Sequence, residues 1–125
     1  MRNPVKTEKA PVPIGPYSQA IIEGDLLYVS GQGPIDPKTR EKVAGDVRAQ
    51  TSQTLANIQA ILEAAGSSLE KVVRCNVYLT NMKDFAAMNE VYSRAFTAPF
   101  PARTTIAAAA LPGDIEVEID CIARR

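Results

Sequence analysis

Residues 115–123 alternate between two kinds of side chain, and this pattern constrains the fold more than any other in the chain. Strict alternation with a period of two is typical of a β-strand that buries one face and leaves the other open. One set of side chains is apolar or small: Ile115, Val117, Ile119, Cys121 and Ala123. The other set is largely acidic: Glu116, Glu118, Asp120 and Ile122. The chain must therefore form a sheet that packs one face on a core.

Two amphipathic segments supply elements that can cover that face. Asp46 is a suitable N-cap for a helix of about 20 residues, and Gly66 suits the position just past its end. A second helix begins after Asn81 or Asp84. The first helix carries its apolar stripe at Val47, Leu55, Ile58, Ile61, Leu62 and Ala65, and the second at Phe85, Met88, Val91, Tyr92, Ala95 and Phe96.

The remaining strand-like stretches complete an α+β order. Residues 17–22 and 26–30 predict a hairpin joined at Glu23-Gly24-Asp25, and residues 72–79 predict a further strand. A strand begins near Arg103, before the alternating one. We therefore expect β-β-α-β-α-β-β in a single domain over residues 1–125, with both helices on one face of a mixed sheet.

Three details follow from this arrangement. The proline-rich residues 1–13 predict an extended, partly mobile arm. Residues 73, 75, 77 and 79 are expected to share the buried face of their strand. The open face of the sheet carries Tyr28, Val72, Tyr78 and Ile122, and since no third helix is available to cover it, we expect a subunit interface there.

Residues 99–106, PFPARTTI, contain the strongest candidate for a binding group. Two prolines stiffen the backbone around Phe100, and period-two alternation places Arg103 and Thr105 on one strand face. A guanidinium held in this way suits bidentate capture of a carboxylate, although a surface arginine after a loop would give the same pattern. Because a turn at residues 111–114 follows, we expect this strand to pair with the last one, within reach of Glu118.

Composition excludes several classes of function. The 125 residues contain no histidine, which removes His-based triads and the commonest metal ligand. The net charge is zero, so the basic surface expected of a nucleic-acid-binding protein is not predicted. Cys75 and Cys121 form no CxxC pair and fall in strands, which indicates buried thiols in a reducing compartment. No apolar run approaches the ~18 residues of a membrane span, so we expect a cytoplasmic protein without membrane contact.

Several stretches, taken together, resemble the RidA/YjgF family of enamine/imine deaminases (2-iminobutanoate/2-iminopropanoate deaminase). They span nearly the whole chain in family order and spacing. They are IGPYSQA at 14–20, YVSGQ at 28–32, DFAAMN at 84–89, PART at 101–104, and LP at 111–112 followed by EVEI at 116–119.

This resemblance implies a chorismate-mutase-like fold and a homotrimer, in which the sheets line a central β-barrel and the active sites lie between subunits. It also implies hydrolysis of 2-aminoacrylate and related imino or enamino acids to 2-oxo acids and ammonia. Such intermediates escape from pyridoxal-phosphate enzymes, and their removal protects those enzymes. No cofactor and no metal are implied.

By motif position, the resemblance implies that Arg103 clamps the substrate carboxylate and that Glu118 holds the attacking water and moves protons. It further implies that the Thr105 backbone contacts the substrate nitrogen, and that Tyr17, Ser30 and Asn89 line or brace the pocket. Many relatives carry cysteine where this chain has Thr105, so thiol-based regulation is not expected here. Asn89 lies beside an apolar stripe and must find a partner, either in a neighbouring loop or in a ligand.

Two other functions remain open at this point. A carboxylate clamp alone makes a binding site, so a non-catalytic trimeric ligand-binding or chaperone-like protein would share these residues. Some relatives have been described as endoribonucleases that inhibit translation, and zero net charge with few aromatic residues disfavours that role here.

Overall fold

Six strands in one mixed sheet and two helices make up the computed structural model, which describes residues 2–125. The elements are β1 (Asn3–Val5), β2 (Ala20–Glu23), β3 (Leu26–Gln32), α1 (Val47–Ala64), β4 (Val72–Leu79), α2 (Phe85–Ala95), β5 (Ala102–Ala107) and β6 (Val117–Arg124). Their order across the sheet is β1-β2-β3-β6-β4-β5. The predicted α+β class and mixed sheet are confirmed; within one chain the sheet is open, with β1 and β5 at its edges.

Both predicted helices form, and each begins just after a residue that the sequence suggested as its N-cap. The Asp46 carboxylate accepts hydrogen bonds from the backbone N–H groups of Arg48 and Ala49 at the start of α1. Gly66 has a φ of +79°, the left-handed conformation that ends helices most easily at glycine. Asn81 caps a short 3₁₀ turn that precedes α2. It does not cap α2 itself. Within residues 2–125, neither helix is long and apolar enough to cross a membrane.

The alternation of β6 appears in the structure as predicted. Its inward-facing residues are at most 2% exposed from Val117 to Ala123, whereas Glu118, Asp120 and Ile122 are only partly buried. The inner face joins β3, β4, α1 and α2 in one core. Burial of this apolar surface is the main source of stability in such a layer.

The prediction for the start of β4 is wrong by one residue. The register between β4 and β6 shifts between Val72 and Arg74, which indicates a β-bulge. As a result Val72 is buried at 7% exposure and Val73 lies outside at 42%. Period-two reading cannot detect an inserted residue, and it therefore assigned these two valines to the wrong faces.

The N-terminal arm is extended, as predicted, and its first residues form a strand that the sequence did not predict. Residues 3–5 form β1, which pairs antiparallel with β2. The buried amide of Gln19 then holds the rest of the arm: its Oε1 accepts from Thr7 N at 2.8 Å, and its Nε2 donates to three carbonyls. The three carbonyls belong to Thr7, Ala10 and Pro11. The arm is thus tied to the strand that follows it.

The strand that carries Arg103 does not pair with β6. β5 runs parallel to β4, with Cys75 opposite Arg103, and β6 lies on the other side of β4. The turn at residues 111–114 therefore ends a longer connection, not a hairpin. A parallel neighbour requires a crossover, and α2 supplies it between β4 and β5.

Candidate functional site

A cavity of about 560 Å³ opens beside Glu118. Its wall is formed by the N-terminal arm, the end of β3, the loop after β3, the 111–115 segment and β6. The residues are Pro11, Val12, Ile14, Tyr17, Gln19, Gly31, Gln32, Gly33, Ile35, Arg40, Lys42, Pro112, Gly113, Ile115 and Glu118. Pockets of about 300–1,000 Å³ with few polar groups are typical of small-molecule sites.

Glu118 lies against a glycine that leaves room for it. A β-carbon added at Gly31 would sit 2.5 Å from Glu118 Oε2 and 3.0 Å from its carboxyl carbon. Distances under 3.0 Å are not tolerated, so a side chain at position 31 would displace the carboxyl group. The register between β3 and β6 also shifts between Val29 and Gln32, which places Gly31 in an irregular part of the strand. Glycine is typical where another group must approach the backbone of a strand closely.

The surroundings of Glu118 shift the titration of its carboxyl group upward. Burial raises the pKa of the Glu118 carboxyl, and the neighbouring Asp120 raises it further. Asp120 is itself held by Asn76 Nδ2 at 2.8 Å and by the Tyr78 hydroxyl at 3.1 Å. Both hydrogen bonds engage Asp120, whereas Glu118 is the carboxyl group that lines the cavity. A carboxyl group with a raised pKa suits general acid–base chemistry near neutral pH.

Buried polar residues of α1 fix the cavity wall. Asn57 Nδ2 donates to the carbonyls of Gly33 at 3.0 Å and Ile35 at 2.8 Å. The Gln50 side chain accepts from the backbone N–H of Glu116 at 2.9 Å. Sequence reasoning missed both residues because it read only the apolar stripe of this helix. The signal was available: positions 50 and 57 are two turns apart and fall within that stripe.

Arg103 occupies a different place, between β5 and α2. Its guanidinium carbon lies 4.7 Å from the ring centre of Tyr92 and 5.6 Å from that of Phe85. Its Nη1 is 3.9 Å from the Met88 sulfur. Rings and a thioether orient an arginine without neutralising it, and the three ion pairs within residues 2–125 do not include Arg103. Its charge is therefore available to an anion.

Buried polar atoms without partners accompany Arg103. Asn89 Oδ1, Thr105 Oγ1 and the Tyr92 hydroxyl are buried and have no hydrogen-bond partner within residues 2–125. Thr105 stands opposite Val77, on the same face of β5 as Arg103, and Asn89 lies one turn of α2 beyond Phe85. The loop contact considered for the Asn89 carbonyl is thus not formed. Buried polar groups normally have hydrogen-bond partners, so these atoms can accept or donate hydrogen bonds to a ligand bound beside Arg103.

The two halves of the predicted site lie on opposite faces of the sheet. Arg103 shares the face of Cys75, which is buried under the helices, whereas Glu118 stands opposite Tyr78 on the open face. The expectation that adjacent strands bring Arg103 and Glu118 together in one chain is therefore wrong. Thr105 and Asn89 belong to the Arg103 half.

The remaining predicted residues belong to the Glu118 half. Tyr17 lines the cavity. Ser30 braces it from behind, because its hydroxyl donates to the Ser18 carbonyl at 2.6 Å. The first half can thus hold an anion, and the second can exchange a proton with a molecule in the cavity.

A larger groove of about 710 Å³ runs between α1 and α2 on the outer side of the molecule. Its two arginines, Arg48 and Arg94, are both paired with Glu90, at 2.7 and 3.1 Å. Because both arginines are already paired, this groove is a weaker candidate than the Glu118 cavity for binding a charged ligand.

Comparison with known proteins shows the family and the fold. The family described as Endoribonuclease L-PSP matches residues 7–125. A RutC family protein of Pyrococcus horikoshii is 54% identical over 123 residues, covering 98% of each chain. A 2-iminobutanoate/2-iminopropanoate deaminase of Salmonella typhimurium is 44% identical over 128 residues, covering 100% of this chain and 99% of that protein. The crystal structure of E. coli TdcF with bound serine superposes with a TM-score of 0.92 at 38% identity, covering 98% of both chains.

Proposed function

This chain belongs to the Endoribonuclease L-PSP family, also called RidA/YjgF, and we propose that it hydrolyses 2-imino and 2-enamino acids to 2-oxo acids and ammonia. The observation that carries the proposal is the half-buried Glu118 carboxyl, with its raised pKa, in the wall of a 560 Å³ cavity. The deaminase of Salmonella typhimurium, similar over the whole chain, supports the same reaction. Serine bound to TdcF supports a site for small amino-acid-like ligands.

The proposed active site is shared between two copies of the chain. Arg103 and Glu118 cannot meet across their own sheet, so the Arg103 half of one copy must face the Glu118 cavity of another. The open sheet face, with Tyr28 at 44% and Ile106 at 47% exposure, provides an apolar surface for this association. A homotrimer with a central barrel, as the family resemblance implies, would form three such sites by one repeated contact.

The reaction needs only positioning and proton transfer. A protonated imine carbon is electrophilic, and water adds to it when a base removes a proton from the attacking oxygen. We assign that role to the ionised Glu118 carboxylate. The C–O bond forms as the C=N π electrons return to nitrogen. The protonated carboxyl then gives its proton to the nitrogen of the tetrahedral intermediate, and the C–N bond breaks so that ammonia leaves. As the C=O bond forms, the hydroxyl proton returns to the Glu118 carboxylate, which passes it to the departing ammonia or to water and is ionised again.

Arg103 binds the carboxylate of the same substrate in this proposal. Its two parallel N–H groups match a planar carboxylate, and the stacked rings hold the fork in place. The backbone of Thr105 contacts the substrate nitrogen, and the unpartnered Asn89 Oδ1 accepts a hydrogen bond from the ligand or a bound water. Tyr17 and Ser30 shape the opposite wall.

The test is a coupled assay in which an amino-acid oxidase generates the imine of alanine or of 2-aminobutanoate. The wild-type protein is expected to accelerate ammonia and 2-oxo acid release above the spontaneous rate. Glu118→Gln is expected to retain binding of the 2-oxo acid and to lose about 10²-fold or more of the acceleration. Equal rates with the wild type, the variant and buffer would contradict the proposal.

The same preparations separate the alternatives. Binding of 2-oxo acids without any acceleration would indicate a ligand-binding module. Cleavage of RNA that persists through purification and disappears in Glu118→Gln would indicate a nuclease. A net charge of zero disfavours tight, salt-dependent binding of RNA.

A further inference from the structure

Arg40 adopts a backbone conformation that is unfavourable for arginine. Its φ is +65°, in the left-handed region where a side chain is strained and glycine is favoured. It lies in a loop closed by the Ile35–Lys42 bridge, and its N–H donates to the Asp36 carbonyl at 2.8 Å. The turn itself requires only the left-handed backbone, which glycine would supply without strain. The presence of arginine therefore calls for an explanation from its side chain.

Arg40 is one of the residues that line the Glu118 cavity. Lys42, the second cation of this wall, donates from Nζ to the Asp114 carbonyl at 3.0 Å. None of the ion pairs found across residues 2–125 involves Arg40. Most of the cavity lining is apolar and comes from Val12, Ile14, Ile35, Pro112 and Ile115. The cavity thus combines a proton-exchanging group, an apolar lining and two cationic residues.

Resting on the proposed function, we infer that Arg40, with Lys42, selects substrates whose side chain ends in a second carboxylate. The substrate class is the imino dicarboxylates, such as the imines of aspartate and glutamate. Arg103 of a neighbouring copy holds the carboxylate next to the reacting carbon, and Glu118 serves that carbon. The side chain then extends into the cavity, where the distal carboxylate meets Arg40.

The available volume agrees with this class. The cavity of one copy, about 560 Å³ before a neighbouring copy covers it, lies within the range of small-molecule pockets. Its apolar lining suits the methylene groups of a longer chain. An unpaired guanidinium at the wall then supplies a charge-assisted hydrogen bond to the terminal carboxylate.

The test compares 2-oxoglutarate with 2-oxopentanoate, two five-carbon 2-oxo acids that differ in the terminal carboxylate. Equilibrium binding is measured by titration calorimetry at low salt on the wild type, Arg40→Gly and Lys38→Ala. Lys38 is the matched control because it is an exposed cation of the same loop that does not line the cavity. Turnover of the imines of glutamate and 2-aminopentanoate is measured in parallel.

The wild type and Lys38→Ala are expected to bind 2-oxoglutarate about tenfold or more tightly than 2-oxopentanoate. Arg40→Gly is expected to lose most of that preference while its thermal stability stays the same or rises, since the strain is relieved. Equal affinities in the wild type, an unchanged preference in Arg40→Gly, or no binding of either acid would overturn the inference. An Arg40-dependent binding preference without any imine turnover would instead leave the selectivity intact and contradict the proposed hydrolysis.

Discussion

Arg103 and Glu118 project from opposite faces of one sheet, on β5 and β6, which are separated by β4. Arg103 faces α2 and Glu118 faces the open side. No side-chain rotation brings the two groups together through a hydrogen-bonded sheet. Because of this separation, the proposed reaction requires two copies of the chain to associate. It also means that each half of the site can be tested separately.

We expect Arg103→Lys to lower kcat/KM for imine hydrolysis by about 10- to 100-fold. Lysine keeps the charge but loses the planar fork and the stacking on Tyr92, and a charge-assisted hydrogen bond contributes about 1.5–3 kcal/mol. Steady-state kinetics provide the measurement. Arg94→Lys, an exposed arginine of α2 paired with Glu90, is the control and should leave kcat/KM unchanged. Near-normal turnover by Arg103→Lys would remove the clamp from the mechanism.

Gly31→Ala should reduce activity more than stability. The new methyl would meet Glu118 Oε2 at 2.5 Å, and the flexible carboxyl group would swing away from its place in the cavity. We expect a fall of about tenfold or more in kcat with a small change in unfolding free energy, as for other misplaced catalytic groups. Gly33→Ala is matched, because there the methyl meets only the terminal Cδ1 of Ile115. If both variants lose activity equally, the cavity shape and not Glu118 is responsible.

Asn89→Leu should weaken ligand binding without destabilising the folded protein. Asn89 Oδ1 is buried without a partner, so replacing the amide with an apolar group of similar size should leave the unfolding free energy unchanged or raise it by about 1 kcal/mol. Affinity for 2-oxo acids should fall. Asn76→Leu provides the contrast, because it breaks the 2.8 Å hydrogen bond to Asp120 and should destabilise the protein. Urea unfolding and ligand titration check both; loss of stability in Asn89→Leu would show that its carbonyl is satisfied.

The stability of the protein should depend on pH through Glu118. Because burial raises its folded-state pKa above 4.5, the folded state binds more protons than the unfolded state between 4.5 and the raised value. Its contribution to stability is therefore complete below pH 4.5 and decreases as pH rises through that window. Glu118→Gln cannot ionise, so its stability relative to the wild type should rise over the same window and then level off.

Glu90 supplies a control of opposite sign. The Arg48 side chain lowers the pKa of Glu90 below 4.5, so its contribution is present above pH 4.5 and decreases as pH falls. Glu90→Gln should therefore be less stable than the wild type at neutral pH and approach it in acid. Urea unfolding at several pH values measures both differences. A wild-type minus Glu118→Gln difference that does not vary with pH would show that Glu118 has an ordinary pKa in the folded protein.

The sequence predicted elements well and contacts across elements poorly. The alternation in β6, the Asp46 cap and the Gly66 end of α1 are local patterns, and each appears in the structure. The pairing of β5 with β4 is not local: a turn before β6 suggested a hairpin, and the sheet order depends instead on how α2 packs. The bulge at Val73 was also missed, because it is defined by the pairing of β4 with β6 and the alternation within β4 does not show it.

The candidate site divides in the same way. The sequence proposed residues in both halves, because their motifs are local, yet the placement of these residues on opposite faces required the strand order. The cavity wall depends on single buried amides, such as Asn57, that hold distant backbone groups. The left-handed backbone of Arg40 has no sequence signal, since glycine is the residue that would have marked it.

A site shared between copies predicts complementation between two inactive variants. Arg103→Ala supplies an intact Glu118, and Glu118→Gln supplies an intact Arg103. When the two are unfolded together in equal amounts and refolded, about one quarter of the sites should combine both intact residues, whether the assembly is a dimer or a trimer. Ammonia release should therefore recover to about one quarter of the wild-type rate.

Mixing the same two variants without unfolding is the control, and it should recover activity only as fast as subunits exchange. Refolding each variant alone controls for damage during the procedure. A site within one chain predicts no recovery at all, since every chain would carry one defective residue. Because Arg103 and Glu118 lie on opposite faces of their own sheet, absence of recovery in well-folded mixed assemblies would mean that the two residues do not act together.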